Sequence, residues 1–177
     1  MYTGWRYRIR LRSCHGCYAP HCARGGENYR INPVSAAVIR DGILNPDPTF
    51  ISAAAYDNNY AGASTTKLYV VDYGTDKLYQ VNPPNTGNMI EIGSLGINVS
   101  GDIHLDIGSI SNTAYFVSTP SGVFNPETQT ATRPGPTELY TINLATGAAT
   151  SIGEIDFISL SDRGEYQLRG FTLGLGF

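Results

Sequence analysis

The chain has 177 residues, enough for one sizeable core, and only 15% of them are charged. Its net charge of -3 is too small to argue for nucleic acid, and no apolar run reaches the roughly 18 residues that a membrane-spanning helix needs. A secretory signal needs an uninterrupted apolar stretch near the start, where Met1 to Arg12 carries arginines instead, so no export signal is visible.

In chain order, residues 1–25 stand apart from the rest. They hold Arg6, Arg8, Arg10, Arg12 and Arg24 and no acid, a charge of +5; residues 26–177 hold 7 Lys and Arg against 15 Asp and Glu, a charge of -8. Trp5, Tyr7, Ile9 and Leu11 alternate with Arg6, Arg8, Arg10 and Arg12, which predicts a strand with one apolar and one cationic face. Cys14 and Cys17 have the spacing of a zinc half-site that His21 or Cys22 could complete with His15. The competing readings are one disulfide plus a spare thiol, or a stretch without function that arose from a shifted reading frame or a wrongly chosen start codon. We expect these side chains not to converge on zinc or another divalent cation, and no cofactor is assigned.

From residue 26 the informative signal is a repeat. Tyr29-Arg30-Ile31-Asn32 recurs as Tyr79-Gln80-Val81-Asn82 and as Tyr140-Thr141-Ile142-Asn143, with starts 50 and 61 residues apart. Turns at Thr86-Gly87 and Thr146-Gly147 follow, and the next strand ends in Ile92-Gly93 and Ile152-Gly153, with Asp41-Gly42 in the first copy. One unit parses into strands at Phe50–Tyr56, Lys67–Asp72, Lys77–Asn82 and Asn88–Gly93, with a hairpin at Gly74-Thr75-Asp76. The next parses into Asp102–Gly108, Thr113–Ser118, Glu138–Asn143 and Ala148–Gly153, its extra length lying in the loop Thr119–Thr137. Gly170–Gly176 reads as one more inner strand. The fold class is all-β, a β-propeller-like repeat of four-stranded antiparallel blades, and the domains are an atypical segment 1–25 and a repeat domain 26–177.

Residues 26–177 resemble the bacterial domain-of-unknown-function family 4394. The likeness rests on Glu27-Asn28-Tyr29-Arg30-Ile31-Asn32-Pro33, Ser52-Ala53-Ala54-Ala55-Tyr56-Asp57-Asn58-Asn59, Val81-Asn82-Pro83-Pro84-Asn85-Thr86-Gly87, and Leu139-Tyr140-Thr141-Ile142-Asn143-Leu144-Ala145-Thr146-Gly147. The resemblance implies a propeller in an exported bacterial protein, hence an extracellular or cell-envelope location. The family has no established activity, so the resemblance carries over no catalytic residue.

Two groups of residues are candidates for chemistry. Asp102, His104 and Asp106 alternate with Ile103, Leu105 and Ile107, which points the three polar side chains to one face of an inner strand. Two carboxylates and an imidazole could hold a divalent ion or work as acid and base; the competing reading is a solvated wall in which His104 bridges two acids. Asp57, Asn58 and Asn59 follow the other inner strand and could line the same mouth, or serve as turn residues. Tyr56, Tyr60, Tyr69, Tyr73, Tyr79, Tyr115 and Tyr140 could stack on sugars or pack against neighbours.

The sequence contains no nucleophile elbow, zincin or phosphate-loop motif. The favoured function is therefore a non-catalytic binding or structural module. The alternative is a metal-assisted hydrolase or lyase using Asp102, His104 and Asp106. A barrel in the outer membrane ranks last, because its strands need about 9–11 residues. The strands counted make about three blades where closed propellers have about 4–8. A protein partner, or self-association through open blade edges, is the expected consequence.

Overall fold

The structure is a computed structural model that describes residues 8–11, 26–32, 34–46, 50–60, 62–101, 103–118, 124–125, 130–131, 136–155 and 171–173. Strands β1 (Arg8–Leu11), β2 (Asn28–Ile31) and β3 (Val38–Arg40) form a first antiparallel sheet in that order. The middle sheet runs β4 (Ile51–Tyr56), β5 (Leu68–Asp72), β6 (Lys77–Val81), β7 (Met89–Ser94), each strand pairing with the next. The third sheet contains β8 (Ile103–Ile107), β9 (Ala114–Ser118), β12 (Glu138–Ile142) and β13 (Ala149–Glu154), in the order β13-β12-β9-β8. A small hairpin of β10 (Phe124–Asn125) and β11 (Thr130–Ala131) lies inside the long loop.

The two four-stranded units thus fall where the repeat places them, and the chain is all-β with antiparallel four-stranded sheets. The arginine-rich start contributes β1, which pairs Arg8 with Ile31 and Leu11 with Asn28. Two details differ from the sequence reading. The loop 119–137 contains the unforeseen hairpin, and residues 171–173, the described part of the expected strand Gly170–Gly176, lie outside any ladder.

Alternation sets which face each strand buries. Ile103, Leu105 and Ile107 of β8 are buried at 1%, 7% and 3% exposure, while the residues between them are half-buried. They pack with Ala53, Ala55, Tyr69, Val71 and Leu78 of the middle sheet and with Ala114, Phe116, Tyr140 and Ile142 of their own. The small side chains Ala53 and Ala55 let β4 come close to β8, its neighbour across this core. Phe116 is wholly buried, its ring tilted 56° to Tyr140 with centroids 6.0 Å apart, an arrangement that adds about 1 kcal/mol beyond area burial.

A second core covers the other face of the middle sheet. It joins Leu68, Val70, Tyr79, Val81 and Met89 to Leu44 and Ile51. A register shift between Ile51 and Ala53 moves Ile51 onto this side. All five residues of β5 are consequently buried.

Successive sheets meet through one repeated backbone device. After β2, β6 and β12 the chain turns in the same way: Asn32, Asn82 and Asn143 donate their N–H groups to the carbonyls of Ala37, Asn88 and Ala148 at 2.9, 2.8 and 2.9 Å. One residue of each turn is left-handed, namely Ala36 (φ 57°), Gly87 (φ 74°) and Gly147 (φ 84°). Gly93, near the end of β7, lies directly against the Thr146-Gly147 turn. A Cβ on Gly93 would overlap the Thr146 carbonyl oxygen, and one on Gly147 would stand 2.5 Å from the Gly93 oxygen. Gly42 meets Thr86-Gly87 in the same manner.

Two residues beyond each of these glycines, Leu44 and Leu95 are buried at 1% and 0% exposure. Main-chain hydrogen bonds cross both junctions, from Met89 N–H to the Asn45 carbonyl at 2.8 Å and from Ala149 N–H to the Leu95 carbonyl at 2.9 Å.

Candidate functional site

The loops that follow β4 and β8 lie together at one end of the two strands. Asn58 and Asn112 join them: Asn58 N–H donates to Asn112 Oδ1 and Asn112 Nδ2 donates to Asn58 Oδ1, both at 2.8 Å. Both residues are left-handed, at φ 46° and 52°, a conformation asparagine tolerates better than most. Asp57 is 7% exposed. Its Oδ1 accepts the Lys67 N–H at 2.6 Å and its carbonyl accepts the Thr66 hydroxyl at 2.6 Å, which closes the loop before β5. Asn59 is exposed beside them. Asp57 and Asn58 thus hold loops together, in keeping with the turn-residue reading weighed for them in the sequence.

His104 and Asp106 share the face of β8 that points away from the core, as alternation predicts; Asp102 lies outside the described residues. Asp106 is engaged on both oxygens. Oδ2 accepts the Leu173 N–H at 2.7 Å and the Thr172 hydroxyl at 3.1 Å, while Oδ1 accepts the N–H of Ile107 at 2.9 Å. An ionised carboxylate offers about four lone-pair sites, and three are taken here. Its visible role is to clamp residues 172–173 onto the edge strand β8.

Cys14, His15, Cys17, His21 and Cys22 all lie outside the described residues. Among the described residues, no three His, Cys, Asp or Glu side chains come together in a way that could hold a metal ion. Of the tyrosines proposed for stacking, Tyr69, Tyr79 and Tyr140 are buried at 5–7% exposure and pack in the cores, whereas Tyr60 is 48% exposed.

Two polar clusters escaped the sequence reading. Arg30 forks onto Asp41 with bonds of 2.6 and 2.9 Å, and the Asp41 side chain is only 4% exposed. Nearby, burial raises the pKa of Tyr56, the Arg30 charge works against that shift and Asp41 adds to it. On β12, burial first and then the bond to the Glu138 carboxylate push Tyr140 up to about 12. The partners Asn112, Thr172 and Leu173 lie 54 to 67 residues from the groups they bind, so no local pattern announces them.

No helix among the described residues is long and apolar enough to cross a membrane. Among curated proteins, none matches the chain. A family model described as Domain of unknown function (DUF4394) matches residues 22–162, a span that includes β2 through β13. With most of its length and all its repeated turns inside that match, the chain belongs to the DUF4394 family.

Proposed function

We propose that the chain is a non-catalytic docking module, a run of propeller blades that is incomplete by itself and receives a protein partner on its open sheet face. The observation that carries this reading is an asymmetry of burial. The middle sheet has a packed core on each side. The third sheet packs Ile103, Leu105, Ile107, Phe116 and Tyr140 into one core, while on its other face Val117 is buried and Tyr115, Leu139 and Thr141 are only half-buried. The half-wetted part of that face is a binding surface in waiting, since each Å² of apolar area covered stabilises by about 25 cal/mol.

The engagement of Asp106 supports the same reading against a hydrolase or lyase built on Asp102, His104 and Asp106. Following the family resemblance, we place the module in the envelope or outside the bacterial cell. With a net charge of -3, nucleic acid is not among its partners.

Metal analysis and chelator treatment of the purified chain separate the two readings. We expect no stoichiometric metal and no effect of chelator on fold. A divalent cation bound at one per chain, lost in Asp106→Asn and required for turnover of a hydrolysable substrate, would overturn the docking reading.

A further inference from the structure

This inference rests on the docking reading and specifies its surface. Among the described residues, the junction device that joins the sheets occurs twice with both halves present, and a third time, at Gly153, with only one. Gly153 pairs with Leu139 across a register shift in β13, just as Gly93 pairs with Leu78 across one in β7. Ile155 donates its N–H to the Thr137 carbonyl at 2.8 Å, the counterpart of the Leu95 bond to Asp76 at 2.9 Å.

The strand pairing is the same and the surroundings are not. Among the described residues, nothing stands within 4 Å of the Cβ position of Gly153. Ile155 is half-buried where Leu95 is completely covered, and Ile152 is 55% exposed where its counterpart Ile92 packs against the core.

We propose that Ile152, Gly153 and Ile155 form a socket for a β-repeat that presents a Thr-Gly turn. The two filled junctions define that partner's chemistry. Its threonine carbonyl rests on the glycine Cα, and its own glycine is left-handed. The residue two positions later donates an N–H to the Ile155 carbonyl, as Ala149 does to that of Leu95. The apolar face of its sheet covers Ile155.

A second copy of this chain does not meet that description through its own first turn. Ala36 occupies the place of Gly147. Ala36 N–H bonds the Asn32 carbonyl at 2.9 Å as Gly147 N–H bonds Asn143 at 2.8 Å, and the Asn32 and Asn143 side chains each accept an N–H two residues on at 2.9 Å. A Cβ at Gly147 would lie 2.5 Å from the Gly93 oxygen and 2.7 Å from its carbonyl carbon. Ala36 carries that Cβ, so a glycine from another copy is refused. The exposed methyl of Ala36 therefore bars head-to-tail joining, and the socket stays open for a different repeat.

The test is to remove the bar. Ser35→Thr/Ala36→Gly turns the first turn into Thr-Gly in the full chain, and sedimentation equilibrium reads its self-association. We expect an association constant raised about tenfold or more over the unaltered chain, returned to the starting value when Ile155→Asp is added. Equal association of the altered and unaltered chains would overturn the socket, as would association that survives Ile155→Asp. Should the double change impair folding, Ala36→Gly alone removes the methyl from an exposed turn, and the same ordering is required of it. The metal and chelator results judge the docking reading separately, so a failure here is distinguishable from a failure there.

Discussion

The middle and third sheets are two versions of one unit whose burial differs. Each has four antiparallel strands, a Thr-Gly turn after the third strand and a register shift before the terminal glycine. In the middle sheet Gly93 lies against the turn of the next unit, Leu95 is fully buried and Ile92 packs against the core; in the third, Ile152, Gly153 and Ile155 meet nothing equivalent among the described residues. The strand pattern fixes each sheet's geometry, whereas burial of the sheet face depends on a neighbour. Local sequence and tertiary packing are therefore separable contributions in this molecule.

That comparison can be tested by truncation on both sides. Leu95→Ala opens a fully enclosed site and should cost about 3 kcal/mol, whereas Ile155→Ala, already half in water, should cost about 1 kcal/mol. Urea unfolding of the two variants measures the gap. Equal losses would mean that the third face is covered in solution and would erase the contrast.

A smaller effect sharpens the description of the edge strand. Asp106→Asn keeps one acceptor and turns the other into a donor that faces either the Leu173 N–H and Thr172 hydroxyl together or the Ile107 N–H. We expect a loss of about 1 kcal/mol, confined to the tail segment and seen as faster hydrogen exchange at the Leu173 amide. Unchanged exchange there would remove the clamp.

The smallest effect probes the sealed core that the two sheets share. The folded chain holds the Tyr140 proton until about pH 12, against 10.0 for an ordinary tyrosine, because burial and Glu138 disfavour the phenolate. The unfolded chain loses its proton first, so this contribution is full below pH 10 and is lost as pH rises from 10 through about 12. Tyr56 and Tyr69 shift in the same direction. Tyr140→Phe should fall less steeply in Tm over that window, and an identical slope would contradict the assignment.

Much of the fold was legible because it is local. The alternation of Ile103, Leu105 and Ile107 and the recurrence of Tyr-x-Ile/Val-Asn before each turn mark strands and their partners without reference to distant residues. The β10–β11 hairpin was not legible, since Pro and Gly recur through its loop and both are depleted in strands. Among the polar candidates, Asp57, Asn58 and Asp106 hold loop and tail segments by hydrogen bonds. Whether Asp106 serves chemistry or holds a chain segment depends on Thr172 and Leu173, which only the fold brings to it. The glycines at 93 and 153 were visible as strand ends; the contact of Gly93 with a turn more than 50 residues away was not.

Ala36 gives the stack of sheets the character of a polymer with unlike ends. Under the proposed socket, a single methyl at the first turn refuses the close contact that the glycine of β13 accepts. Addition of repeats is then directional, and the number in a stack is a matter of composition: it stops wherever a turn carries any side chain at the position that Gly87 and Gly147 leave bare. Under this rule a one-carbon change at a solvent-exposed residue can alter the architecture of an assembly without touching any core residue.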